Sequence, residues 1–187
     1  MKDTRKHEQD DVSSLSWVQT NVDGTDNTIT KQRALLTKQL IKHPSLDVGC
    51  NTAGYTIFTG CTAGVDWVTE HLIKAKADGL ANCVCCCAEF LPFRNGTFQT
   101  VIATELIEHV DNPDELLFEA CRVGKQVIIT TPLDPVDADG HIRLYTAKTL
   151  QQQLSKHIKV TNRKVLREKG NIRMAFVCGV CRVRDTD

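Results

Sequence analysis

The sequence predicts an α/β fold: a doubly wound, mostly parallel seven-stranded sheet with helices on both faces and a C-terminal antiparallel hairpin. Strand patterns of apolar and β-branched residues alternate with amphipathic helical patterns until about residue 156, as is typical of parallel sheets. The last two strand patterns are joined by a turn at Gly170 and Asn171 instead of a helix. Strands joined by such a turn pair in antiparallel fashion.

The 187 residues are enough for one domain. Residues 1–26 carry few apolar anchors, and we expect them to form a flexible N-terminal arm. Residues 27–187 are expected to form a single domain, because no repeat, linker or low-complexity stretch divides them.

The first half of the domain begins with a predicted helix from Thr30, its N-cap, to about Lys42, and Pro44 ends it. The buried stripe of this helix is predicted to consist of Leu35, Leu36, Leu40 and Ile41. The elements that follow are predicted as strands at 45–48, 62–65 and 81–87, with a helix from Trp67 to about Asp78.

The second half contains one clear helix start. Asn112 suits the N-cap, Pro113 the first helical position, and Glu115 the carboxylate of a capping box. This helix is predicted to bury Leu116, Leu117, Ala120 and Cys121. Around it we predict a turn at Gly96, strands at 100–104, 126–130, 158–167 and 172–183, and a helix at 146–156.

Charge and hydropathy disfavour several classes of partner. The chain has 23 Lys and Arg residues and 23 Asp and Glu residues, so its net charge does not favour nucleic-acid binding. The local basic run from Arg163 to Arg173 is the one feature that would favour it. No apolar run approaches the roughly 20 residues of a membrane span. Residues 1–11 are polar and lack the apolar core of a signal peptide. We therefore expect a cytoplasmic protein that does not bind membranes.

The nine cysteines lie mostly inside apolar runs, as buried free thiols of a reducing compartment do. Cys178 and Cys181 have the spacing of half a zinc site, with Cys83, Cys85 and Cys86 as conceivable partners. Because positions three apart on a strand face opposite sides of a sheet, we expect no metal here or elsewhere.

The most informative segment runs from Leu46 to Gly54, where a strand ends in a loop of small residues. Such a loop lets backbone N–H groups approach a ligand closely. Asp66 follows Asp47 by 19 positions, at the end of the next predicted strand, where a carboxylate can accept hydrogen bonds from ribose hydroxyls.

This segment resembles the D-x-G-C-G-x-G loop of class I S-adenosylmethionine-dependent methyltransferases. Other segments resemble the same family in the same order, across about residues 45 to 150. They are Gly64–Asp66, Ala88–Phe93, Thr104–Val110 with Asn112–Pro113, Ile129–Pro132 and His141–Thr146. The resemblance implies a methyltransferase with S-adenosylmethionine as cofactor.

The resemblance also implies residue roles around that cofactor. Asp47 and Gly49 shape the methionine end of the site, Asn51 lies in the loop, and Gly54 opens the next helix. Glu105 lies near the methionine moiety or the reacting methyl group.

Four further residues are assigned to the ribose and adenine in the same way. Asp66 holds the ribose, Trp67 packs on the adenine face, and the Ala88 amide and Glu89 meet the adenine edge. Asp66 as a turn residue and Trp67 as an ordinary core residue are the structural alternatives.

The chain departs from the family pattern at three positions. Asn51 and Ala53 stand where glycine is usual, and Cys87 stands where many members have an acidic residue. Asn tolerates a left-handed backbone, whereas Ala53 is unstrained only with a negative φ. The short stretch between Gly54 and Asp66 predicts a first helix of barely more than a turn.

Three side chains are candidates for a catalytic base: Glu108, His109 and His141. The residues themselves do not decide among them, since Glu108 and His109 could instead orient the loop before Asn112, and His141 could form a structural pair with Arg143. Because ligands bind beyond the carboxyl ends of parallel strands, residues 105–109 and 132–145 should flank one cleft.

The substrate class stays open between a small molecule and a protein, and the sequence leaves the oligomeric state undetermined. The alternative to an enzyme is a catalytically inactive, methyltransferase-like binding or scaffold subunit. The departures at Asn51, Ala53 and Cys87 are the reason for keeping that alternative.

Overall fold

The computed structural model describes residues 29–133, 140–168 and 171–182. These residues form one seven-stranded sheet in the order β3-β2-β1-β4-β5-β7-β6. The strands are β1 Ser45–Val48, β2 Ala63–Asp66, β3 Cys83–Cys85, β4 Phe98–Thr104, β5 Gly124–Pro132, β6 Ile158–Glu168 and β7 Asn171–Cys181. The helices are α1 Ile29–Leu40, α2 Gly54–Thr59, α3 Thr69–Ala77, α4 Pro113–Val123 and α5 Ala147–Ser155. The predicted arm at 1–26 and the turn residue Gly170 lie outside the described residues.

The pairing of the strands confirms the predicted fold class. β1 pairs in parallel with β2 on one side and β4 on the other. β4 and β5 are also parallel, whereas β7 is antiparallel to both β5 and β6. The strand order reverses between β1 and β4, so the crevice for a ligand opens beyond the carboxyl ends of these two strands.

Helices cover both faces of the sheet because alternate strand residues are apolar on opposite sides. On β4, Val101 and Ala103 belong to the core under α4 and α5, while Ile102 belongs to the core under α1 and α2. On β7, Val177 and Phe176 divide between the two cores in the same way.

The buried side of α1 differs from the predicted stripe. Ala34 and Thr37 are its fully buried residues, whereas Leu35 is 42% exposed and Leu36 and Leu40 are half-buried. Leu36, Leu40 and Ile41 still pack against the core, so the prediction was wrong for Leu35, and the burial is centred on Ala34 and Thr37. On the same helix, Arg33 lies 3.4 Å from Glu105, just after the end of β4.

The third strand is shorter and more exposed than predicted. Only Cys83–Cys85 is extended, and Val84 and Cys85 are exposed. This strand lies at the edge of the sheet and pairs only with β2 among the described strands. An edge strand has one unpaired side, so its apolar composition does not imply burial.

All nine cysteines are free thiols, as predicted. Cys178 lies in the core under α1, and Cys181 packs against the core on the other face, which confirms that the two point apart. The expectation of general burial was wrong for Cys85 and Cys87, which are exposed.

Of the two hydrogen bonds of the predicted capping box at the start of α4, the one to the Asn112 side chain is formed. The Asn112 side chain accepts a hydrogen bond from the Glu115 amide at 3.2 Å, and Pro113 occupies the first turn. The Asn112 amide donates to Glu89 instead of Glu115, at 3.5 Å. The cap therefore ties α4 to the segment after β3.

None of the helices in the described part of the chain combines the length and apolar character that crossing a bilayer requires.

We expect Gly124→Ala to destabilise the fold by about 1–3 kcal/mol. A Cβ at Gly124 would lie 2.5 Å from Val101 Cγ2 and 2.9 Å from the Ala120 carbonyl oxygen, where α4 joins β5. Urea unfolding measures the loss, with Lys125→Ala at the exposed neighbouring position as the control. Equal stability of the two variants would show that the junction has spare volume.

Candidate functional site

The loop after β1 folds back on β2 through two backbone hydrogen bonds. The amides of Gly49 and Cys50 both donate to the Val65 carbonyl, at 2.8 and 2.9 Å. Gly49 has a φ of 75°, and a Cβ there would lie 3.0 Å from Leu106 Cδ1. Glycine is therefore favoured at this position by both its conformation and its size.

The same loop keeps a left-handed backbone where the family glycines are missing. Asn51 has a φ of 49° and Ala53 a φ of 66°. Ala53 would be unstrained only with a negative φ, so its positive φ costs about 1 kcal/mol of conformational free energy. The strain is tolerated because Ala53 is fully buried against the core around Leu72. The loop has the backbone shape that glycine would give it.

Asp66 braces this loop from the end of β2. Its Oδ2 accepts a hydrogen bond from the Asn51 amide at 2.8 Å, and its Oδ1 accepts one from the Val68 amide at 2.9 Å. The His71 ring lies 3.2 Å from Oδ1. Each carboxylate oxygen has two lone pairs, so Oδ2 can still accept another donor. The structure thus gives Asp66 the turn role as well as a place at the crevice.

Asp47 lies under the loop with one oxygen unused. Thr56 Oγ1 donates to Asp47 Oδ2 at 2.7 Å, while no donor among the described residues reaches Oδ1. Burial raises the pKa of Asp47 from 3.8 to about 7, and the charge of Asp66 adds to this, against the effects of Thr56 and Arg33. A buried carboxyl with a free oxygen is a place for a hydrogen-bond donor or cation.

The adenine end of the predicted site carries two exposed aromatic rings. Trp67 is 60% exposed just after β2, before the start of α3, and Phe90 is 72% exposed in the segment after β3. Trp67 is therefore not a core residue. The predicted adenine-edge residues Ala88 and Glu89 directly precede Phe90. Glu89 Oε2 accepts a hydrogen bond from the Cys87 thiol at 2.8 Å.

Glu105 follows β4 with a φ of 52° and faces helix α1. Its Oε1 accepts a hydrogen bond from Thr130 Oγ1 at 3.0 Å and lies 3.4 Å from Arg33 Nη1. Arg33 is 12% exposed and lies 5.0 Å from the Tyr55 ring centre, and its Nε has no partner in the described part of the chain. Sequence reasoning missed Arg33, because nothing in the sequence around it indicates that it lies next to Glu105.

The three candidate catalytic residues lie together. The Glu108 main-chain carbonyl accepts hydrogen bonds from the Ile142 and Arg143 amides at 3.1 and 3.2 Å. The ring centres of His109 and His141 are 4.8 Å apart. The segments after β4 and β5 therefore lie side by side beyond the carboxyl ends of the strands, as the sequence predicted.

The Glu108 side chain is almost fully buried. Thr131 Oγ1 donates to Glu108 Oε2 at 2.9 Å, whereas Oε1 has no donor among the described residues. Burial, followed by the charge of Glu105, raises the pKa of Glu108 from 4.5 to about 7. A carboxyl with a pKa near neutrality can both accept and release a proton.

Arg143 has a structural part in this arrangement. Its guanidinium donates to the main-chain carbonyls of Val110 and Asp111. These bonds hold the segment from residue 140 onward against the end of β4, which positions His141.

A separate cavity of about 150 Å³ lies between α5 and strands β6 and β7. Apolar side chains such as Leu150, Leu154 and Val177 line most of it. The predicted site residues do not line it, and the strand-end crevice with its unpaired polar atoms is the better candidate for chemistry.

Residues 46–127 match the family model described as a methyltransferase domain. A search of curated protein sequences finds no match to the chain. The family match starts at β1 and ends within β5, so it contains the loop, Asp66 and the residues after β4.

Solved structures share the fold. A SAM-dependent methyltransferase from Thermotoga maritima has a TM-score of 0.66 and 18% identity, with 79% of this chain and 86% of that chain covered. A complex of the Haloferax volcanii Trm112 methyltransferase activator with a methyltransferase has a TM-score of 0.69 and 11% identity, with 83% of this chain and 90% of that chain covered. The [4+2]-cyclase SpnF has a TM-score of 0.69 and 15% identity, with 81% of each chain covered. The resemblance to class I methyltransferases is confirmed, and it implies S-adenosylmethionine as the cofactor.

The residues at the strand ends fit this cofactor. Its amino-acid end carries an ammonium and a carboxylate, and the crevice offers the free Asp47 Oδ1 for the first and the free Arg33 Nε for the second. Its adenine has an aromatic face, for which Trp67 is exposed. The unpaired carboxylate and guanidinium atoms therefore match the ammonium and carboxylate of the methionine end in charge.

Asp47→Asn should stabilise the cofactor-free protein most above pH 7 and clearly less at pH 5, where only part of the contribution of Asp47 is lost. Since the pKa of Asp47 is raised from 3.8 to about 7, its contribution to stability is fully present below pH 4 and is lost as the pH rises through 7. Urea unfolding at pH 5 and pH 8 measures the difference. The exposed Asp111→Asn is the control, and a variant less stable than wild type at pH 8 would contradict the argument.

Proposed function

Taking the confirmed resemblance to class I methyltransferases as the premise, we propose that this chain transfers the methyl group of S-adenosylmethionine to a small molecule or a protein. The observation that carries the proposal is the free, buried Asp47 Oδ1 beneath a loop that keeps its left-handed backbone. The cofactor supplies a methyl group on a positively charged sulfur, so the protein mainly has to hold and align the reactants.

The residues proposed for the nucleoside are those at the ends of β2 and β3. Asp66 Oδ2 retains a lone pair for a ribose hydroxyl, in addition to its bond from the Asn51 amide. Trp67 offers its exposed face to the adenine, and the Ala88 amide and Glu89 are proposed for the adenine edge.

The residues proposed for the methionine end lie at the ends of β1 and β4. Asp47 is proposed for the ammonium, and Arg33 for the carboxylate, because their unpaired atoms have the complementary charge. Gly49 keeps the loop close, Gly54 opens α2, and Glu105 holds Arg33 in place at 3.4 Å.

On the substrate side, we propose that Glu108, His109 or His141 accepts the proton of an oxygen or nitrogen nucleophile. Glu108 is suited to this role because its pKa lies near 7. A position at this end of the crevice, beyond the methionine end, is where a nucleophile would have to be held at roughly 3–3.5 Å from the reacting carbon.

The alternative is a binding or scaffold subunit that does not catalyse methyl transfer. The hydrogen bonds of Asp66 within its own loop favour it, because they use part of the capacity that a ribose would need. Titration of the full chain with S-adenosylmethionine by calorimetry tests both readings. Absence of binding would rule out the enzyme and leave the scaffold.

We expect Asp66→Ala to weaken S-adenosylmethionine binding by more than about tenfold, because a charge-assisted hydrogen bond contributes about 1.5–3 kcal/mol. Glu70→Ala removes an exposed carboxylate four residues away and serves as the matched control. Calorimetry gives both dissociation constants, and thermal melting checks that the variant loop is folded. Equal affinity of the folded variant and wild type would leave Asp66 as a turn residue only.

Arg33→Leu should weaken binding of S-adenosylmethionine by about tenfold or more, but not binding of methylthioadenosine, which lacks the amino-acid carboxylate. Lys38→Leu changes an exposed cation of the same helix and is the control. If Arg33→Leu lowers the affinity for both ligands equally, Arg33 supports the fold of the crevice and not the carboxylate.

A further inference from the structure

One buried carboxylate and two imidazoles meet at the mouth of the crevice. A carboxylate oxygen of Glu108 and one ring nitrogen each of His109 and His141 all lie within 4.8 Å of one another. Zinc bound at about 2.0–2.2 Å needs tetrahedral ligands roughly 3.3–3.6 Å apart. Side-chain movements of about 1 Å would bring the three atoms to that spacing, and His109 is exposed enough to move.

The free oxygen of Glu108 is an independent sign of a missing partner. Glu108 is 1% exposed, and Thr131 serves only Oε2, which leaves Oε1 without a donor in the described residues. Leaving a buried carboxylate oxygen unpaired is unfavourable. A cation held jointly with the two imidazoles would satisfy it.

Surrounding contacts orient the three side chains as they do in metal sites. His109 Nδ1 lies 2.8 Å from the Gly140 carbonyl oxygen, and because a carbonyl only accepts, Nδ1 carries the proton. The unprotonated Nε2 is then the ligand atom of this tautomer. Thr131 orients the Glu108 carboxylate, and the bonds from the Ile142 and Arg143 amides to the Glu108 carbonyl fix the segment that carries His141.

We propose that Glu108, His109 and His141 bind a divalent transition metal of the zinc type at the substrate end of the crevice. Two imidazoles and one carboxylate suit zinc or cobalt better than magnesium or calcium, which prefer oxygen ligands. The site contains none of the cysteines, so it differs from the half-site considered at Cys178 and Cys181, and it replaces the expectation of a metal-free protein.

Three protein ligands leave one coordination position open, as in catalytic and unlike structural zinc sites. An oxygen or nitrogen group bound at that position would lose its proton more readily, to solvent water, so the three residues would act as metal ligands in place of the proton acceptor proposed above. This use of the metal rests on the proposed methyltransferase function and points to substrates with a hydroxyl or amine that can coordinate it. Binding of the metal itself does not depend on that function.

Titration of the chelator-treated full chain with Co²⁺, followed by visible absorption, tests the site. We expect one bound ion per chain, and His109→Ala and His141→Ala should each weaken its binding by more than about tenfold. His43→Ala, an exposed histidine away from the cluster, should bind as wild type does. Glu108→Gln is the third variant, and thermal melting verifies the fold of each.

The cysteines provide the outcome that would overturn the proposal. Cobalt held by the exposed Cys85 or Cys87 would show thiolate-to-metal charge transfer and would bind equally well to the histidine variants. Affinity unchanged in folded His109→Ala and His141→Ala likewise refutes the site. S-adenosylmethionine affinity is measured separately on the same proteins. A wild-type chain that binds S-adenosylmethionine but no Co²⁺ refutes only this inference, and a wild-type chain that binds Co²⁺ at the histidines but no S-adenosylmethionine refutes only the proposed function.

Discussion

Two buried carboxylates and a half-buried third one beside a single arginine are the constraint on which the strand-end crevice depends. Asp47, Glu105 and Glu108 follow or end β1 and β4, and Arg33 is the cation that acts on all three. One guanidinium does not compensate the charges of all three carboxylates, so burial keeps the pKa of Asp47 and of Glu108 near 7. The crevice is therefore built to gain positive charge, which an ammonium, a sulfonium or a metal ion can supply.

Helix α1 becomes part of the site because of how it packs. Its small residue Ala34 and its Thr37 face the sheet, and Thr37 Oγ1 is hydrogen-bonded to the Tyr55 hydroxyl at 2.5 Å. That contact fastens α1 to α2, directly after the loop that follows β1. Arg33 is thus held over Tyr55 by the same packing that closes this face of the sheet.

The loop after β1 shows how a family geometry can persist without its usual residues. Asn51 and Ala53 accept left-handed conformations, and the Asp66 carboxylate and the Val65 carbonyl hold the backbone from β2. Contacts from a neighbouring strand therefore replace the conformational freedom of glycine, at a cost of about 1 kcal/mol for the alanine. This preserved shape weakens the case that the departures mark a degenerate site.

The sequence by itself determined the alternation of strands and helices, the terminal hairpin, the N-cap at Asn112 and the placement of Asp47, Asp66 and Glu108 at strand ends. These features follow from local periodicity and turn chemistry, which a sequence displays directly. Only the tertiary structure decided the burial of Ala34 and Thr37 on α1, the short exposed β3, the left-handed Ala53 and the meeting of Glu108 with His109 and His141. Each of these depends on contacts between segments far apart in the chain. For that reason Arg33, which is 72 residues from Glu105 in the chain but 3.4 Å away in space, carried no local signal of its role.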